Sequence, residues 1–345
     1  MLTVAACCTA LAHAAPVQVQ VGPTRLLSTS FGYSVAYREV QHGDTATISI
    51  GLFLYDRGRW IRSPLRLGKD ISGIDDVAFS DRLHGWVAAY DCARATVFLY
   101  RTSDGGRSWR SLGGPATHSC GGGPTYLSFV DRTRGWMEPV SPNGPAGELL
   151  GTADGGSTWT LRSALHDRLP ALPCLAPIEF LTRSLGWMAR CGGDVFVTHD
   201  AGRRWRRISI GRGRAFYDVP RFAGRHGVIA ATRGAATSTS VTFLVTNDGG
   251  ATWARHATRP LASCPLPLDG SPFVAVWPAA EASASVWWVV SGGRAQVTAD
   301  AGRHWHAAST RGLPSRAVVR TGGTNSALFE TRDGGRDWQR VELLR

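Results

Sequence analysis

A repeated eight-residue string does most to limit how this chain of 345 residues can fold. The string Thr/Ser-x-Asp-x-Gly-x-x-Trp occurs six times, and a shorter string, YDRGRW, resembles it and ends at Trp60. The six full copies end at Trp109, Trp159, Trp205, Trp253, Trp305 and Trp338. Successive copies lie 46–52 residues apart, except for the last interval of 33 residues. Repetition at this period indicates a solenoid or propeller in which each repeat is one supersecondary unit.

A second motif precedes the string in several repeats and consists of an apolar pair, a polar turn and Gly-Trp. Its copies end at Trp86, Trp136 and Trp187. In the fourth repeat the predicted strands are Ile178–Leu181, Trp187–Arg190, Val195–Thr198 and Trp205–Ile210. Four short strands in about 48 residues match one blade of a β-propeller. The sequence therefore predicts an all-β fold, a single seven-bladed β-propeller over residues 15–345, with the string on the hairpin between strands C and D of each four-stranded blade.

The last repeat is too short for four strands. The strands predicted in it are Ala317–Arg320, Ala327–Thr331 and Asp337–Leu343. The segment Val17–Val21 precedes the first blade, and we expect it to pair beside these strands and so close the ring. We also expect the six tryptophans that end the repeated string to be buried between neighbouring blades.

Each copy of the string carries one acidic residue at a fixed place. These residues are Asp56, Asp104, Asp154, Asp200, Asp248, Asp300 and Asp333. A carboxylate there can accept N–H bonds from its own turn, the Thr or Ser hydroxyl can add another, and glycine allows the turn its backbone angles. A calcium loop needs several oxygen ligands at alternating positions, whereas this string has one shared acid. We therefore expect a structural role for these acids, with no catalytic residue, metal or cofactor.

These motifs resemble those of the Asp-box, or bacterial neuraminidase repeat, propellers over about residues 17–345. The order, with Gly-Trp before the Asp box, is most similar to the photosystem II stability/assembly factor type of propeller. Sortilin, xyloglucanase and sialidase propellers are more distantly similar. The resemblance implies the fold strongly and the function weakly, because one fold carries many functions.

The sialidase resemblance implies an Arg-(Ile/Leu)-Pro motif, an arginine triad and a Tyr/Glu nucleophile pair. The nearest early string, Pro23–Leu27 (PTRLL), lacks the proline, and Tyr37–Glu39 (YRE) fits an alternating strand. Xyloglucanase-type enzymes pair two propellers, and this chain has room for one. A glycan-acting hydrolase, exo-sialidase-like or another glycosidase, stays the alternative to a non-catalytic binding module.

Residues 1–14 resemble a signal peptide that ends in the small-residue site Ala12-His13-Ala14. Cys7 after VAA also fits a lipoprotein box, so free secretion and lipid anchoring are both open, as is the true start codon. An oxidising, extracytoplasmic location allows disulfides. Predicted strand ends meet so as to pair the candidate cysteines Cys174 with Cys191 and Cys92 with Cys120. Five free thiols are the alternative.

Strand order sorts the turns of a propeller onto two faces. The Asp boxes and the A–B turns that end in Gly-Trp lie on one, which we call the box face. The B–C loops and D–A linkers lie on the other, the loop face. The net charge of +12 is carried almost entirely by arginine. The candidate binding residues on the box face are Arg82, Arg107, Arg132, Arg134, Arg183, Arg203, Arg204, Arg225, Arg303 and Arg336.

These observations together predict an exported or cell-envelope monomer that binds a partner or supports assembly. Exposed positive charge favours a protein partner or an anionic surface or polymer. No nucleic-acid reader motif is present, so specific nucleic-acid binding is not expected. No apolar run reaches the length of a membrane span.

Overall fold

The computed structural model describes strands and the turns between them, with no helix among the described residues. These residues are 17–28, 30–42, 45–117, 124–139, 148–164, 177–190, 194–208, 216–217, 220–223, 225–235, 238–260, 276–278, 287–291, 294–298, 306–307, 317–320, 328–332 and 339–344. Nothing in this part of the chain is a helix that could act as an apolar membrane span.

Most strands are short, and the three at the start of the chain have twelve residues each. In chain order they are β1 (Val17–Ser28), β2 (Phe31–His42), β3 (Thr45–Asp56), β4 (Arg59–Arg62), β5 (Gly73–Phe79), β6 (Gly85–Asp91), β7 (Thr96–Thr102), β8 (Arg110–Thr117), β9 (Tyr126–Phe129), β10 (Gly135–Glu138), β11 (Glu148–Thr152), β12 (Thr160–Ala164), β13 (Ile178–Phe180), β14 (Gly186–Arg190), β15 (Asp194–Thr198), β16 (Arg206–Ile208), β17 (Phe216–Tyr217), β18 (Arg221–Ala223), β19 (His226–Ala235), β20 (Ser238–Thr246), β21 (Ala254–Pro260), β22 (Val276–Pro278), β23 (Trp287–Ser291), β24 (Arg294–Thr298), β25 (His306–Ala307), β26 (Ala317–Arg320), β27 (Leu328–Thr331) and β28 (Gln339–Val341).

These strands pair in consecutive antiparallel sheets, one for each repeat. The first sheet contains β1–β4, the second β5–β8, the third β9–β12, the fourth β13–β16, the fifth β17–β21, the sixth β22–β25 and the seventh β26–β28. First strands of neighbouring sheets contact one another, as β1 does β5, β5 does β9, β9 does β13, and β26 does β1. Four-stranded sheets whose first strands converge are the architecture of a β-propeller. A closed ring of seven blades stays a prediction, because parts of the later repeats lie outside the described residues.

The Gly of the Gly-Trp motif is explained by the strand opposite it. In the third sheet Gly135 pairs with Phe129 across β9 and β10. A Cβ at Gly135 would lie 2.3 Å from the Phe129 ring, far inside van der Waals contact. Gly85, Gly186 and Gly227 face a phenylalanine in the same way. The glycine therefore leaves room for the aromatic ring on the strand that pairs with it.

That ring is the centre of an aromatic cluster joining neighbouring sheets. Phe129 stacks on Trp86 of the preceding sheet, with centroids 3.6 Å apart, and meets Trp159 of its own sheet edge-on at 6.1 Å. Phe180 stacks in the same way on Trp136, at 3.7 Å. Each such pair contributes about 0.5–1.5 kcal/mol beyond its buried area. The Gly-Trp motif of one repeat therefore packs into the next.

A hydrogen bond from the same tryptophan also joins neighbouring sheets, and we call this bond the tryptophan latch. The indole Nε1–H of Trp86 donates to the carbonyl of Gly155 in the next Asp box, at 2.9 Å. The Nε1–H of Trp136 donates to the carbonyl of Ala201, again in the next box, at 3.0 Å. Both bonds run from a sheet to its successor in the chain.

The expectation that the box tryptophans are buried is wrong for those described. Trp109, Trp159, Trp205 and Trp253 are only partly buried, whereas the Gly-Trp residues Trp86, Trp136 and Trp187 are buried. The box tryptophan begins the outermost strand and so meets the phenylalanine only by its edge. Trp305 and Trp338 lie outside the described residues.

The expected pairing of Val17–Val21 with the last strands is also wrong. This segment is the start of β1 and pairs with β2, from Val17 opposite Val40 to Val21 opposite Ala36. The physical reason is the length of β2, which is twelve residues and offers a partner to all of β1. Instead of a shared strand, the described C-terminal residue Leu344 packs on Ala36 and Phe53 of the first sheet.

Candidate functional site

Each Asp box is a self-bonded turn. In the third sheet the hydroxyl of Thr158 donates to Asp154 at 2.6 Å, and its N–H donates to the same carboxylate at 2.9 Å. Thr152 Oγ1 donates to Asp154 at 2.8 Å and accepts the N–H of Gly156 at 2.9 Å. These bonds, led by those from Thr158, lower the pKa of Asp154 to about 2. The carboxylate is therefore ionised and already occupied as an acceptor.

The other described boxes repeat this arrangement, with two exceptions. Asp104 and Asp248 accept the corresponding bonds, and Asp200 accepts all but the second hydroxyl bond, because Arg204 takes the place of Thr158. Asp56, in the shortened box, instead forms an ion pair with Arg82 of the next sheet. Asp300 and Asp333 lie outside the described residues.

Backbone angles explain the glycines of the box. Gly155 and Gly156 have φ values of 74° and 91°, in the region that favours glycine. In the fourth sheet Ala201 takes the first of these places, at φ 63°. A Cβ at the second place, Gly202, would lie 2.2 Å from Leu149 of the preceding sheet. The second glycine thus permits close packing between sheets as well as the turn.

The Asp box and the A–B turn touch in each of the second to fifth sheets. The N–H of Gly105 donates to Leu83 at 2.9 Å, and that of Gly155 donates to Thr133 at 2.8 Å. The fourth and fifth sheets repeat this bond between Ala201 and Ser184 and between Gly249 and Arg225. Both kinds of turn therefore lie on one surface, the box face.

Eight of the candidate binding arginines are described, and all eight are exposed. Five lie in A–B turns and three in Asp boxes. They are Arg82, Arg132, Arg134, Arg183 and Arg225 in the turns, and Arg107, Arg203 and Arg204 in the boxes. Arg303 and Arg336 lie outside the described residues. The structure thus brings the eight to one face, spread over the second to fifth sheets.

Two of these arginines are neutralised across sheets. Arg82 pairs with Asp56, and Arg183 pairs with Asp131 at 2.9 Å. Arg132 and Arg134 form no ion pair with any described residue. Burial and the positive charges of Arg110 and Arg132 lower the pKa of Arg101, whose Nη2 donates to the carbonyl of Arg132 at 3.0 Å. The ionised box carboxylates and the turn residues Asp81 and Asp131 lie on the same face, so only a small positive excess remains among its described residues.

A shallow pocket of about 140 Å³ opens on the box face between the first and second sheets. Its wall includes Arg62 and Arg107, together with Arg82 in its ion pair. Ile61 and Leu83 also line it and are exposed. Asp56 and Asp104 line it as well, so the wall carries charge of both signs and does not by itself select a ligand by charge.

The centre of the molecule holds an ion pair that sequence reasoning missed. Arg25 of β1 meets Glu179 of β13, with Nη2 and Oε1 3.1 Å apart. The negative charge of Glu179 raises the pKa of Arg25. Asp75 and Asp76 accept the N–H groups of Thr125 and Leu127, each at 2.9 Å, and so tie β9 to the second sheet.

Arg25 belongs to the string Pro23–Leu27, which was compared above with the Arg-(Ile/Leu)-Pro motif of sialidases. It does lie among the converging first strands, but its guanidinium is occupied by Glu179. Arg25 and Glu179 are 154 positions apart, and no local pattern signals their contact. The described residues contain no group of three His, Cys, Asp or Glu side chains placed to hold a metal.

Cys92, just after β6, is part of a disulfide. It is the one cysteine among the described residues, so its partner lies outside them. Its predicted partner Cys120 lies outside the described residues, and so do both members of the other predicted pair, Cys174 and Cys191, so neither pairing is tested.

Comparison with known proteins places these features in a family. The family model for photosynthesis system II assembly factor YCF48 matches residues 59–234. A photosystem II assembly lipoprotein Ycf48 from Synechococcus sp. (strain CC9902) is 26% identical over 284 residues, which cover 76% of this chain and 74% of that protein. The structure of YCF48 from Cyanidioschyzon merolae is similar with a TM-score of 0.51 and 18% identity, covering 81% of this chain and 87% of that one. A structure of YCF48 bound to D1 peptide is similar with a TM-score of 0.49 and 20% identity, covering 80% and 84%.

Proposed function

Because the chain belongs to the photosynthesis system II assembly factor YCF48 family, we propose that it is a non-catalytic propeller that supports assembly of a protein complex through its box face. The observation that carries this proposal is the set of eight exposed arginines on one surface. Two of them pair with carboxylates of neighbouring sheets, and the others stand beside ionised box aspartates, so the face keeps a small positive excess among its described residues. The partner is a polypeptide that presents negative charge to this face.

Rigidity supports this role. The arginines stand on turns that are bonded to each other and braced by occupied carboxylates, so their positions are set before a partner arrives. Pre-organised groups lose less conformational freedom on binding. Exposed charges of this kind act over about 10 Å and are weakened by salt.

We further propose that the protein works outside the cytoplasm as a monomer. The signal-like residues 1–14 and a relative described as a lipoprotein support this location. Mass spectrometry of the mature N-terminus from an envelope fraction tests it. A mature chain that begins at Met1 in the cytosol contradicts it.

Binding to an anionic polypeptide tests the box face. The probe is fluorescein-labelled poly-L-glutamate, followed by anisotropy. The double variant Arg132→Glu/Arg134→Glu reverses two charges on the face that form no ion pair with a described residue. The control, Arg66→Glu/Lys69→Glu, makes the same change in net charge at two exposed basic residues of the linker between β4 and β5, away from the Asp boxes.

We expect the box-face variant to bind about tenfold or more weakly at low salt, and the control to bind like the native chain. Raising sodium chloride from about 50 mM to about 500 mM should weaken native binding, because the Debye length shortens. Equal losses in both variants would assign the binding to net charge rather than to the face. Tighter binding to anionic lipid vesicles than to the polypeptide would point to a membrane surface instead.

A further inference from the structure

The hairpin formed by the second and third strands of the first sheet is longer than the corresponding hairpin of the second sheet. β2 and β3 are twelve residues each and pair along their whole length, from His42 opposite Thr45 to Phe31 opposite Asp56. The corresponding strands of the second sheet, β6 and β7, have seven residues each. The additional residues form a hairpin at the B–C end, on the loop face.

One edge of this hairpin is open. On its far side β3 pairs with β4 only from Phe53 to Asp56. No other described strand pairs with β3, so the far edge of Thr45–Ser49 has no strand beside it within the described part of the chain. All five of these residues are exposed, and Ile48 keeps 56% of its surface.

The composition of this edge favours strand addition. Residues 45–50 read TATISI, a run of β-branched and small residues without charge or proline. Pairing with β2 continues through it without a bulge. Proteins usually protect such an edge with lysine, proline, a bulge or a cover, because its N–H and C=O groups can pair with another strand. Among the described residues, this edge has none of those protections.

We propose that the open edge of Thr45–Ser49 binds an extended segment of a partner polypeptide as an added β-strand. Main-chain hydrogen bonds hold the segment, and an aliphatic side chain of the partner packs beside Ile48. The edge spans five residues, about 17 Å at the rise of a β-strand. Stable dimers bury roughly 1,200–2,000 Å² or more, so an edge of this length fits a short segment better than a second copy of the propeller.

This site lies on the face opposite the arginines and does not depend on their role. Its ligand is an uncharged extended chain, whereas the box face selects negative charge. Failure of one test therefore leaves the other intact.

A matched pair of variants tests the edge. Ile48→Lys places a charge on it, and Leu161→Lys places the same charge on β12 at a residue of equal exposure, 56%. The probe is a fluorescein-labelled peptide with the sequence of residues 45–50, which can pair with the edge it copies. A second peptide carries proline in place of its first isoleucine and cannot form the full ladder. Circular dichroism checks that both variants keep the native fold.

We expect saturable binding of the first peptide, binding at least tenfold weaker to Ile48→Lys, and no change for Leu161→Lys. The proline peptide should not bind. Hydrogen exchange should show peptide-dependent protection confined to the amides of Thr45–Gly51.

Three results would overturn the proposal. One is the absence of binding up to about 1 mM peptide, which is the limit of weak association. Another is an equal effect of both substitutions. The last is a dimer in sedimentation that Ile48→Lys abolishes, which would assign the edge to a second copy of the chain.

Discussion

Replacing Trp136 and Trp187 by phenylalanine in separate variants tests what the tryptophan latch contributes. Both residues are buried, and both face a phenylalanine of the next sheet. The Nε1–H of Trp136 donates to Ala201 at 3.0 Å, whereas the buried Nε1–H of Trp187 meets no acceptor among the described residues. The ring of Trp187 is also tilted by 35° from its partner, against 4° for Trp136.

The two substitutions remove the same atoms and so share the packing cost of a smaller ring. They differ in the hydrogen bond. Trp136→Phe loses a bond worth about 0.5–1.5 kcal/mol and leaves the Ala201 carbonyl unpaired. The buried N–H of Trp187 has no described acceptor, and burying such a group destabilises the fold by about 1–3 kcal/mol. Trp187→Phe removes this donor and therefore removes that penalty. We expect Trp136→Phe to lower the free energy of unfolding by about 2 kcal/mol more than Trp187→Phe.

Urea denaturation followed by far-ultraviolet circular dichroism measures this difference without relying on tryptophan emission. Trp86→Phe serves as a second latch variant and should resemble Trp136→Phe, since Trp86 donates to Gly155. Equal losses at all three positions would show that the rings act by packing alone. A larger loss for Trp187→Phe would refute the assignment of an unpaired donor.

Three further outcomes are expected. Gly135→Ala places a Cβ 2.3 Å from the opposing phenylalanine ring, and overpacking of this kind should cost about 1–3 kcal/mol in urea denaturation. The folded-state pKa of Asp154, about 2, lies below the unfolded value of about 3.9, so its stabilisation is present above about pH 4 and is lost towards pH 2. Acid titration by circular dichroism should show a smaller loss in Asp154→Asn, because the amide does not titrate. Arg25→Met should cost about 1–3 kcal/mol by leaving Glu179 without its partner, and Arg25→Met/Glu179→Gln should recover part of it in a double-mutant cycle.

Much of the fold was predictable because the two motifs encode local geometry. The strands expected in the fourth repeat at Ile178–Leu181 and Trp187–Arg190 are observed as Ile178–Phe180 and Gly186–Arg190. The motifs did not show that the tryptophans of the Gly-Trp motif are more buried than those that end the Asp box. Their difference depends on whether the residue begins the second or the outermost strand of a sheet.

Long-range partners were beyond the reach of these patterns. The pairing of Val17–Val21 depends on the unusual length of β2, which no repeat signals. The contact between Arg25 and Glu179 depends on convergence of first strands from sheets far apart in sequence. Gathering of the box-face arginines was predictable, because strand order alone decides which turns share a face. Which of them are balanced, as Arg183 is by Asp131, required the structure.

The one-way direction of the tryptophan latch limits how the chain can be shortened. Trp86 and Trp136 each complete their bonding only in the Asp box that follows. A fragment cut after any such repeat therefore ends in an indole with neither a stacking partner nor an acceptor. During synthesis this tryptophan stays unpacked until the next repeat has left the ribosome. Each new repeat therefore covers the exposed tryptophan of the repeat before it and exposes its own.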